Sequence, residues 1–558
     1  MMNLDPISSA GSGMLVKFDS QRQIPSYVEF EHLNFPQLLD AQAQRRPDKV
    51  WLVHGDERIT FGQFSRATDY LAAALKRQGL KEGELCGLLF PNGIKYLLIK
   101  FAVLKIGAIL IPLNTRYRSS ELNFMLNFSD ARFLFMVDRF LKANFLQILH
   151  EIKPHLPKLR KIYVDGEMTP PGMLDVRPLF EYQATEKEVE EIRSNPVKPT
   201  EPATILFTSG TTSIPKAVVL SHEARVFTGI RISERMLIAE DDALLNPLPF
   251  CHEFGGFTIV SHALVCGCKM VIMDLFDAEE ALRLIEKEKV SVIYGVPTMF
   301  SYMLNSPDFE KRDVSSLRTG YMSGATCPLE LVRQVQDEMG CNISVAYGLS
   351  EAPSHTISEY GDPAEIKART VGKPIRDAAV KIVDDHRHEV PLGIPGEIAV
   401  KGRNCLIEYY KNPDLTARTV DEERYLYTGD LGQMNEKGYV TFVGRKTDMI
   451  VSGGFNVYPL EVEEILCKLP SVALAAVVGI PDTELGETVC ACIVLREGMT
   501  TTKEEIMDYC RKQLANYKVP KRVEFMGSLP TTIGTNKIKK TDLKQILKGG
   551  SNVRDHQV

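Results

Sequence analysis

The chain has 558 residues, 44% of them apolar and 25% charged, with a formal net charge of -6. That length implies several domains or one large multi-layer unit and excludes a small disulfide scaffold. The near-neutral balance excludes a protein built around a nucleic-acid backbone, which needs a basic surface.

Residues 1 to 35 are polar and aperiodic and read as a loosely held arm, without the apolar core of a signal peptide. Beyond them, short aliphatic runs alternate with helical patterns: LCGLLF, IKYLLIKFAVLKIG and AILIPL, then KMVIM, AEEALRLIEKEK and VSVIYGVP. Such alternation is the signature of βαβ units and mostly parallel sheets, so the fold class is α/β. The longest apolar region, Tyr96 to Leu113, is broken by Lys100, Lys105, Gly107 and Pro112, which argues against a transmembrane segment. After about Ala378 the texture becomes Gly-rich and strand-like (AAVKIVDD, GEIAVKG, YLYTGDLG, YVTFVGR), which predicts a mainly antiparallel, barrel-like section. A last block after Thr447 (PLEVEEILCKL, ALAAVVGIP, VCACIVL, TKEEIMDYCRKQLA and a lysine-rich tail) predicts a separate α+β domain. The expected division is therefore 1–35, 36–447 and 448–558.

Eleven cysteines are scattered from Cys86 to Cys510. The only close pairs, Cys266/Cys268 and Cys490/Cys492, are one residue apart rather than at C-x2-C metal spacing. They read as reduced thiols of a cytoplasmic protein. The final DHQV matches no peroxisomal or retention signal.

The most informative stretch is ATILFTSGTTSIPKAVVLSH, residues 203 to 222. An apolar strand runs into Thr208, Ser209, Gly210, Thr211, Thr212 and Ser213, with Lys216 beyond. Hydroxyls, backbone N–H groups and a cation at that density form either a phosphate cradle or a polar surface turn. A P-loop NTPase is excluded, because Pro215 precedes Lys216 and Ala217 follows it, where that loop needs Gly-Lys-Ser/Thr.

The stretch resembles the phosphate-loop signature of the adenylate-forming superfamily: acyl-CoA synthetases, adenylation domains and luciferases. The resemblance continues in the family's order through LPFCHEFGG (248–256), SGATCPLEL (323–331), AYGLSEA (346–352), VGKPI (371–375), GEIAVKG (396–402), YYKNPDLT (409–416), YTGDLG (427–432), GRKTDMIVSGGFNVYPLEVEE (444–464), GIPDTELGE (479–487) and YKVPKRVEFMGSLPTTIGTNKIKKTDL (517–543). It implies a large N-terminal domain of two doubly wound α/β subdomains plus the barrel-like section, followed by a small mobile C-terminal domain. It also implies a two-step reaction on a carboxylic acid, ATP and coenzyme A, with Mg2+ as cofactor.

The roles follow residue by residue from the resemblance. Thr208, Ser209, Gly210, Thr211, Thr212 and Lys216 would hold the β- and γ-phosphates. Glu351 matches the Mg2+ carboxylate, with Thr208 as its hydroxyl companion. Asp430 matches the acceptor for the ribose hydroxyls, and Arg445 a ribose and phosphate partner. The adenine would lie against Ser323, Gly324, Ala325 and the ring of Tyr347, beside Gly348 and Ser350. Lys537 matches the catalytic lysine, and His252 a residue that gates the acyl site. Gly453 and Gly454 match a pair that lets the pantetheine arm pass close to the backbone.

Several positions depart from the common pattern: Ser213 and Ala217 stand for glycines, Glu408 and Asn536 likewise, and Thr447 replaces the usual Asp or Lys hinge. The stretch from Pro530 to Lys537 is one residue longer than usual, which makes Lys539 the fallback lysine. Cys251 stands where amino-acid-activating relatives have Asp, which disfavours an α-amino acid. No carrier domain follows residue 543, which favours free coenzyme A. An acyl-AMP ligase serving a separate carrier, or stopping at the adenylate, stays open. So does a homodimer, and so does the identity of the acid, be it fatty, aryl or polycyclic. A non-catalytic scaffold is disfavoured by the joint presence of Lys216, Glu351, Asp430, Arg445 and Lys537.

Overall fold

The computed structural model describes residues 22–195, 197–208, 215–531 and 538–548. The alternation in the sequence becomes two large, mainly parallel sheets. In the first, nine strands run in the order Lys373–Pro374, Ala352–Ile357, Asn342–Leu349, Thr319–Met322, Val292–Gly295, Ala243–Asn246, Lys269–Ile272, Val50–His54 and Glu57–Thr60. A representative unit is the strand Lys269–Ile272, the helix Ala278–Glu288 and the strand Val292–Gly295. Asp277 caps that helix by accepting the Glu280 N–H at 2.9 Å, and the helix buries Ala281, Leu282, Leu284 and Ile285 at helical spacing.

The second sheet has eight strands. Its centre is the parallel set Ile109–Pro112, Leu85–Leu89 and Phe133–Val137, buried on both faces apart from the half-buried Ile109. At one side the antiparallel hairpin Pro202–Thr208/Lys216–Ser221 joins it, with the short strand Glu408–Tyr409 on the hairpin's outer edge. The Gly-rich section forms a four-stranded sheet, Ala379–Val383, Gly396–Lys401, Leu426–Met434 and Val440–Arg445, antiparallel throughout.

From Ile450 onward the chain builds its own five-stranded sheet with its own apolar clusters. The helices Pro459–Leu466 and Lys503–Gln513 cover one face through Val462, Leu466, Ile506 and Cys510. The helix Lys540–Lys548 covers the other through Leu543, over Cys490 and Cys492.

The described part of the lead-in is packed rather than loose. Tyr27 and Phe30 are 3% exposed, and the Tyr27 hydroxyl donates to the Ile238 carbonyl at 2.8 Å. Glu31 is held by both Arg231 and Arg403. Two aromatic anchors and one carboxylate thus tie a polar stretch to the large domain. All eleven cysteines are free thiols. Among the described residues no helix is long and apolar enough to cross a membrane.

Candidate active site

Parallel strands of an open α/β sheet present their carboxyl ends to ligands. Here those ends are Gly295, Met322 and the Leu349 side of the hairpin Asn342–Leu349/Ala352–Ile357. Ser323, Gly324 and Ala325 follow Met322 directly, and the Ser323 hydroxyl donates to the Ala346 carbonyl at 2.9 Å, fastening that stretch beside Tyr347. Gly348 sits where the hairpin folds onto itself, since a Cβ there would fall 2.3 Å from the Ser354 nitrogen. Ser350 and Glu351 close the turn.

Two polar groups gather around these ends. In the first, Tyr347 donates to Asp430 Oδ2 at 2.8 Å, and Arg445 Nε lies 3.4 Å from Oδ1. Asp430 and Arg445 are register partners on neighbouring antiparallel strands, so the sheet itself sets their spacing. The Asp430 N–H donates to Thr428 Oγ1 at 3.1 Å. Asp430 is 7% and Tyr347 9% exposed. Burial, and then the Asp430 charge, push the Tyr347 hydroxyl well above its ordinary pKa, which keeps it a proton donor.

In the second group, Thr208 and Lys216 are the closing register pair of the hairpin and therefore stand at the neck of the predicted phosphate loop. The Lys216 ammonium lies 5.5 Å from the ring centroid of Tyr409, whose hydroxyl donates to Glu351 Oε1 at 3.1 Å. Glu351 is 8% exposed. Burial raises its carboxyl above the usual range, opposed by the Lys216 charge and the Tyr409 hydrogen bond. Lys216, Glu351 and Tyr409 line one cleft of about 320 Å³ with Leu349, Gly429 and Lys446, a size within the range of small-ligand sites.

Among the sequence-predicted residues, the structure brings together Thr208 with Lys216, Lys216 with Glu351, and Tyr347 with Asp430 and Arg445. Ser209, Gly210, Thr211, Thr212 and Lys537 lie outside the described residues. His252 has its Nε2 3.2 Å from Asn114 Nδ2 and stands just ahead of a π-helical turn, Phe254–Ile259. Gly453 and Gly454 form the two-residue tip of the hairpin Ile450–Ser452/Phe455–Val457, with φ of +57° and +82°. Both values demand glycine-like freedom, as in a type I′ turn. Tyr409 and Thr428 carried no role in the sequence reading. Both belong to quoted motifs, and only the fold shows that Tyr409 holds the Glu351 carboxylate and that Thr428 accepts from the Asp430 backbone N–H.

The chain matches the AMP-binding enzyme family model over residues 39–410 and the AMP-binding enzyme C-terminal domain model over residues 461–534. The chain belongs to the AMP-binding enzyme family. Among the relatives of this AMP-binding enzyme, the mouse (Mus musculus) medium-chain acyl-CoA ligase ACSF2, mitochondrial, is 34% identical over 535 residues, covering 91% of this chain and 86% of that protein. The human (Homo sapiens) ACSF2 is 32% identical over 552 residues, covering 93% and 89%. In three dimensions it resembles ATP-bound MatB from Rhodopseudomonas palustris, with TM-score 0.83, 25% identity and 92% and 99% of the two chains covered. It is equally similar, at TM-score 0.83 and 26% identity over 94% and 99% of the chains, to the anthranilate CoA ligase AuaEII in complex with anthranoyl-AMP.

Proposed function

We propose that this AMP-binding enzyme is an AMP-forming acid–CoA ligase for an apolar carboxylic acid. The observation that carries the reading is the pairing of the two polar groups, one around Asp430 and one around Glu351, at the strand ends beside Ser323–Ala325. They offer a nucleoside site and a phosphate site side by side. Relatives named as acyl-CoA ligases across nearly the whole chain support the same reading, and their medium-chain assignment supports a fatty acid of intermediate length.

The reaction balances in two steps. A carboxylate oxygen attacks the α-phosphorus of ATP, an O–P bond forms, the bond to the bridging oxygen breaks and pyrophosphate leaves. A thiol then attacks the acyl carbon, the bond to AMP breaks, and the thiol proton passes to solvent. Asp430 accepts the ribose hydroxyls, its other contacts being already fixed by Tyr347 and Arg445. Tyr347 offers its face to adenine, and Ser323–Ala325 offers backbone groups to its edge. Lys216, with Thr208 and the loop Ser209–Thr212, neutralises the departing phosphates. Lys537 bridges substrate carboxylate and α-phosphate, where charge builds in the transition state. His252 stands at the acyl entrance.

The donor set fits Mg2+: one buried carboxylate, Glu351, with the hydroxyl of Thr208, register partner of Lys216, and substrate phosphates to complete an oxygen shell. The ion would neutralise phosphate charge there. In this reading the chain divides at Thr447, within the turn Lys446–Asp448, and residues 448–558 swing to bring Gly453 and Gly454 to the pantetheine arm. Free thiols support a cytoplasmic location. The homodimer remains part of the proposal.

The test is a single turnover with ATP and a panel of acids, following pyrophosphate, acyl-AMP and coenzyme A together. Pyrophosphate release followed by consumption of coenzyme A is expected. Release of free acyl-AMP with coenzyme A untouched replaces the reading with an acyl-AMP ligase.

A further inference from the structure

Beside the strand ends at Gly295 and Met322, three aromatic rings pack against one another. Tyr294 and Tyr321 are register partners on the parallel strands Val292–Gly295 and Thr319–Met322, so both project from the same face of the sheet, with ring centroids 5.9 Å apart. Phe254, from the π-helical turn, meets Tyr321 at 4.9 Å and Tyr294 at 6.3 Å. The place of this cluster follows from chain connectivity. Tyr321 precedes Ser323 and Gly324 by two or three residues, and Phe254 follows His252 by two. On the acid–CoA ligase reading, an acyl group joined to an adenylate lying on Ser323–Ala325 would start close to the Phe254–Tyr321 contact.

The wall is anchored on every side. The Tyr321 hydroxyl is 2.7 Å from Ser354 Oγ, on the hairpin that carries Glu351, and the Tyr294 hydroxyl is 2.9 Å from His262 Nδ1. Both rings are at most 2% exposed, so swinging either aside leaves a buried hydroxyl without its partner. The turn bearing Phe254 is pinned as well. The Gly255 carbonyl accepts from Asn246 Nδ2 at 2.8 Å, and the Gly256 carbonyl accepts from the fully buried Lys100 ammonium. Gly256 is pressed so closely on Phe250 that a Cβ would fall 1.9 Å from its carbonyl oxygen. A π-helical segment gains such packing by inserting a residue, and here the insertion aims Phe254 at the tyrosines.

We propose that Tyr321, backed by Tyr294 and faced by Phe254, ends the acyl site and sets its specificity, so that the enzyme takes compact apolar acids, ring-bearing or of medium chain length, and excludes long unbranched chains. This rests on the acid–CoA ligase reading. Tyr321 is a specificity-determining residue, and the Ser354 and His262 contacts hold the wall in place. Edge-to-face packing of three rings also offers an aryl acid the geometry aromatic rings prefer.

The experiment measures pyrophosphate release with octanoate, benzoate and palmitate on wild type, Tyr321→Phe and Tyr321→Ala. Wild type should prefer octanoate over palmitate in kcat/KM by roughly tenfold or more, the scale on which apolar pockets discriminate. Tyr321→Ala should lower that ratio by roughly tenfold or more while KM for ATP stays at its wild-type value. Tyr321→Phe, which keeps the ring and loses the hydroxyl, should keep the preference, a result a purely structural role for the Ser354 contact would not give. Should Tyr321→Ala fail to fold, Phe254→Ala removes the opposite side of the wall from a partly exposed position and reads the same ratio. Palmitate used as readily as octanoate by wild type, or a folded alanine variant with an unmoved ratio, overturns the proposal. Pyrophosphate release with no acid at all would instead overturn the ligase reading on which it stands.

Discussion

Asp430 is 7% exposed and is met by Tyr347, Arg445 and Thr428, whereas Gly454 stands at a hairpin tip where an added Cβ would meet nothing within 4 Å. Next to that tip Phe455 is 57% exposed, stacked on Tyr517 at 4.7 Å. Asp430, Tyr347, Arg445 and Glu351, assigned to the first half-reaction, are thus held by contacts the fold has already formed. Gly453 and Gly454, assigned to the second, stand at a hairpin tip in the part of the chain that has its own apolar core. Residues that act on bound ATP can be preorganised, whereas under the proposed domain swing the glycine pair would act only once the domain carrying it had moved.

The comparison breaks most sharply at Gly454. If the tip is to pass the pantetheine arm, Gly454→Trp should abolish acyl-CoA formation while pyrophosphate release in a single turnover continues and acyl-AMP accumulates. Because φ is +82° there, any L-residue strains the turn, so Gly454→Asn, which tolerates the left-handed region, separates strain from obstruction. Asparagine should retain most of the thioester step. If it is as damaging as tryptophan, the glycines serve the turn alone. Lys537→Ala gives the opposite pattern: adenylation falls by roughly 10²- to 10³-fold, as for one lost transition-state donor, and thioester formation from supplied acyl adenylate stays close to normal. Equal loss in both steps, or dependence on Lys539 instead, would mean that the lysine has been placed in the wrong register.

A smaller loss is expected inside the cleft. Asp430→Ala leaves the buried Tyr347 hydroxyl without its acceptor, a cost of about 1–3 kcal/mol in unfolding free energy, measurable by denaturant titration. The same substitution should raise KM for ATP by roughly ten- to a hundredfold and spare the thioester step. An unchanged KM would move the ribose elsewhere.

The α/β alternation was legible because each strand and helix carries its own period. KMVIM, AEEALRLIEKEK and VSVIYGVP fold as the strand, helix and strand they predict, Lys269–Ile272, Ala278–Glu288 and Val292–Gly295. The residues proposed for the nucleotide stood out only as motif members, since nothing local says that Tyr347 will reach Asp430 or Tyr409 will reach Glu351. Those distances are fixed by the stacking of three sheets. The packed lead-in was hidden for a related reason: Tyr27, Phe30 and Glu31 have no periodicity, and their partners Ile238, Arg231 and Arg403 lie far along the chain. The π-helical turn was equally invisible, because LPFCHEFGG shows glycines but not the carbonyls of Leu248 and Phe250 against which Gly255 and Gly256 press.

The finest distinction concerns how firmly the cleft holds its own charge. Burial raises the Glu351 carboxyl, and the hydrogen bond from Tyr409 works against that rise by stabilising the ionised form. Since Mg2+ needs the ionised carboxylate, kcat/KM for adenylation, which reports the free enzyme, should fall on acidification at a pH above that of an ordinary glutamate. Tyr409→Phe removes the hydrogen bond and keeps the ring beside Lys216. The Glu351 carboxyl should then rise further, and the acid limb of the adenylation profile should move to higher pH. A hydrogen bond to an ionised group contributes about 1.5–3 kcal/mol against about 0.5–1.5 kcal/mol for a neutral one, and the pKa reads the difference, so the displacement should be about one pH unit. The thioester step, measured from supplied acyl adenylate, should show no such shift, because the groups displayed on the Gly453–Gly454 hairpin do not depend on Glu351. A limb that stays in place, or moves to lower pH, would show that Glu351 is not the group whose ionisation adenylation requires.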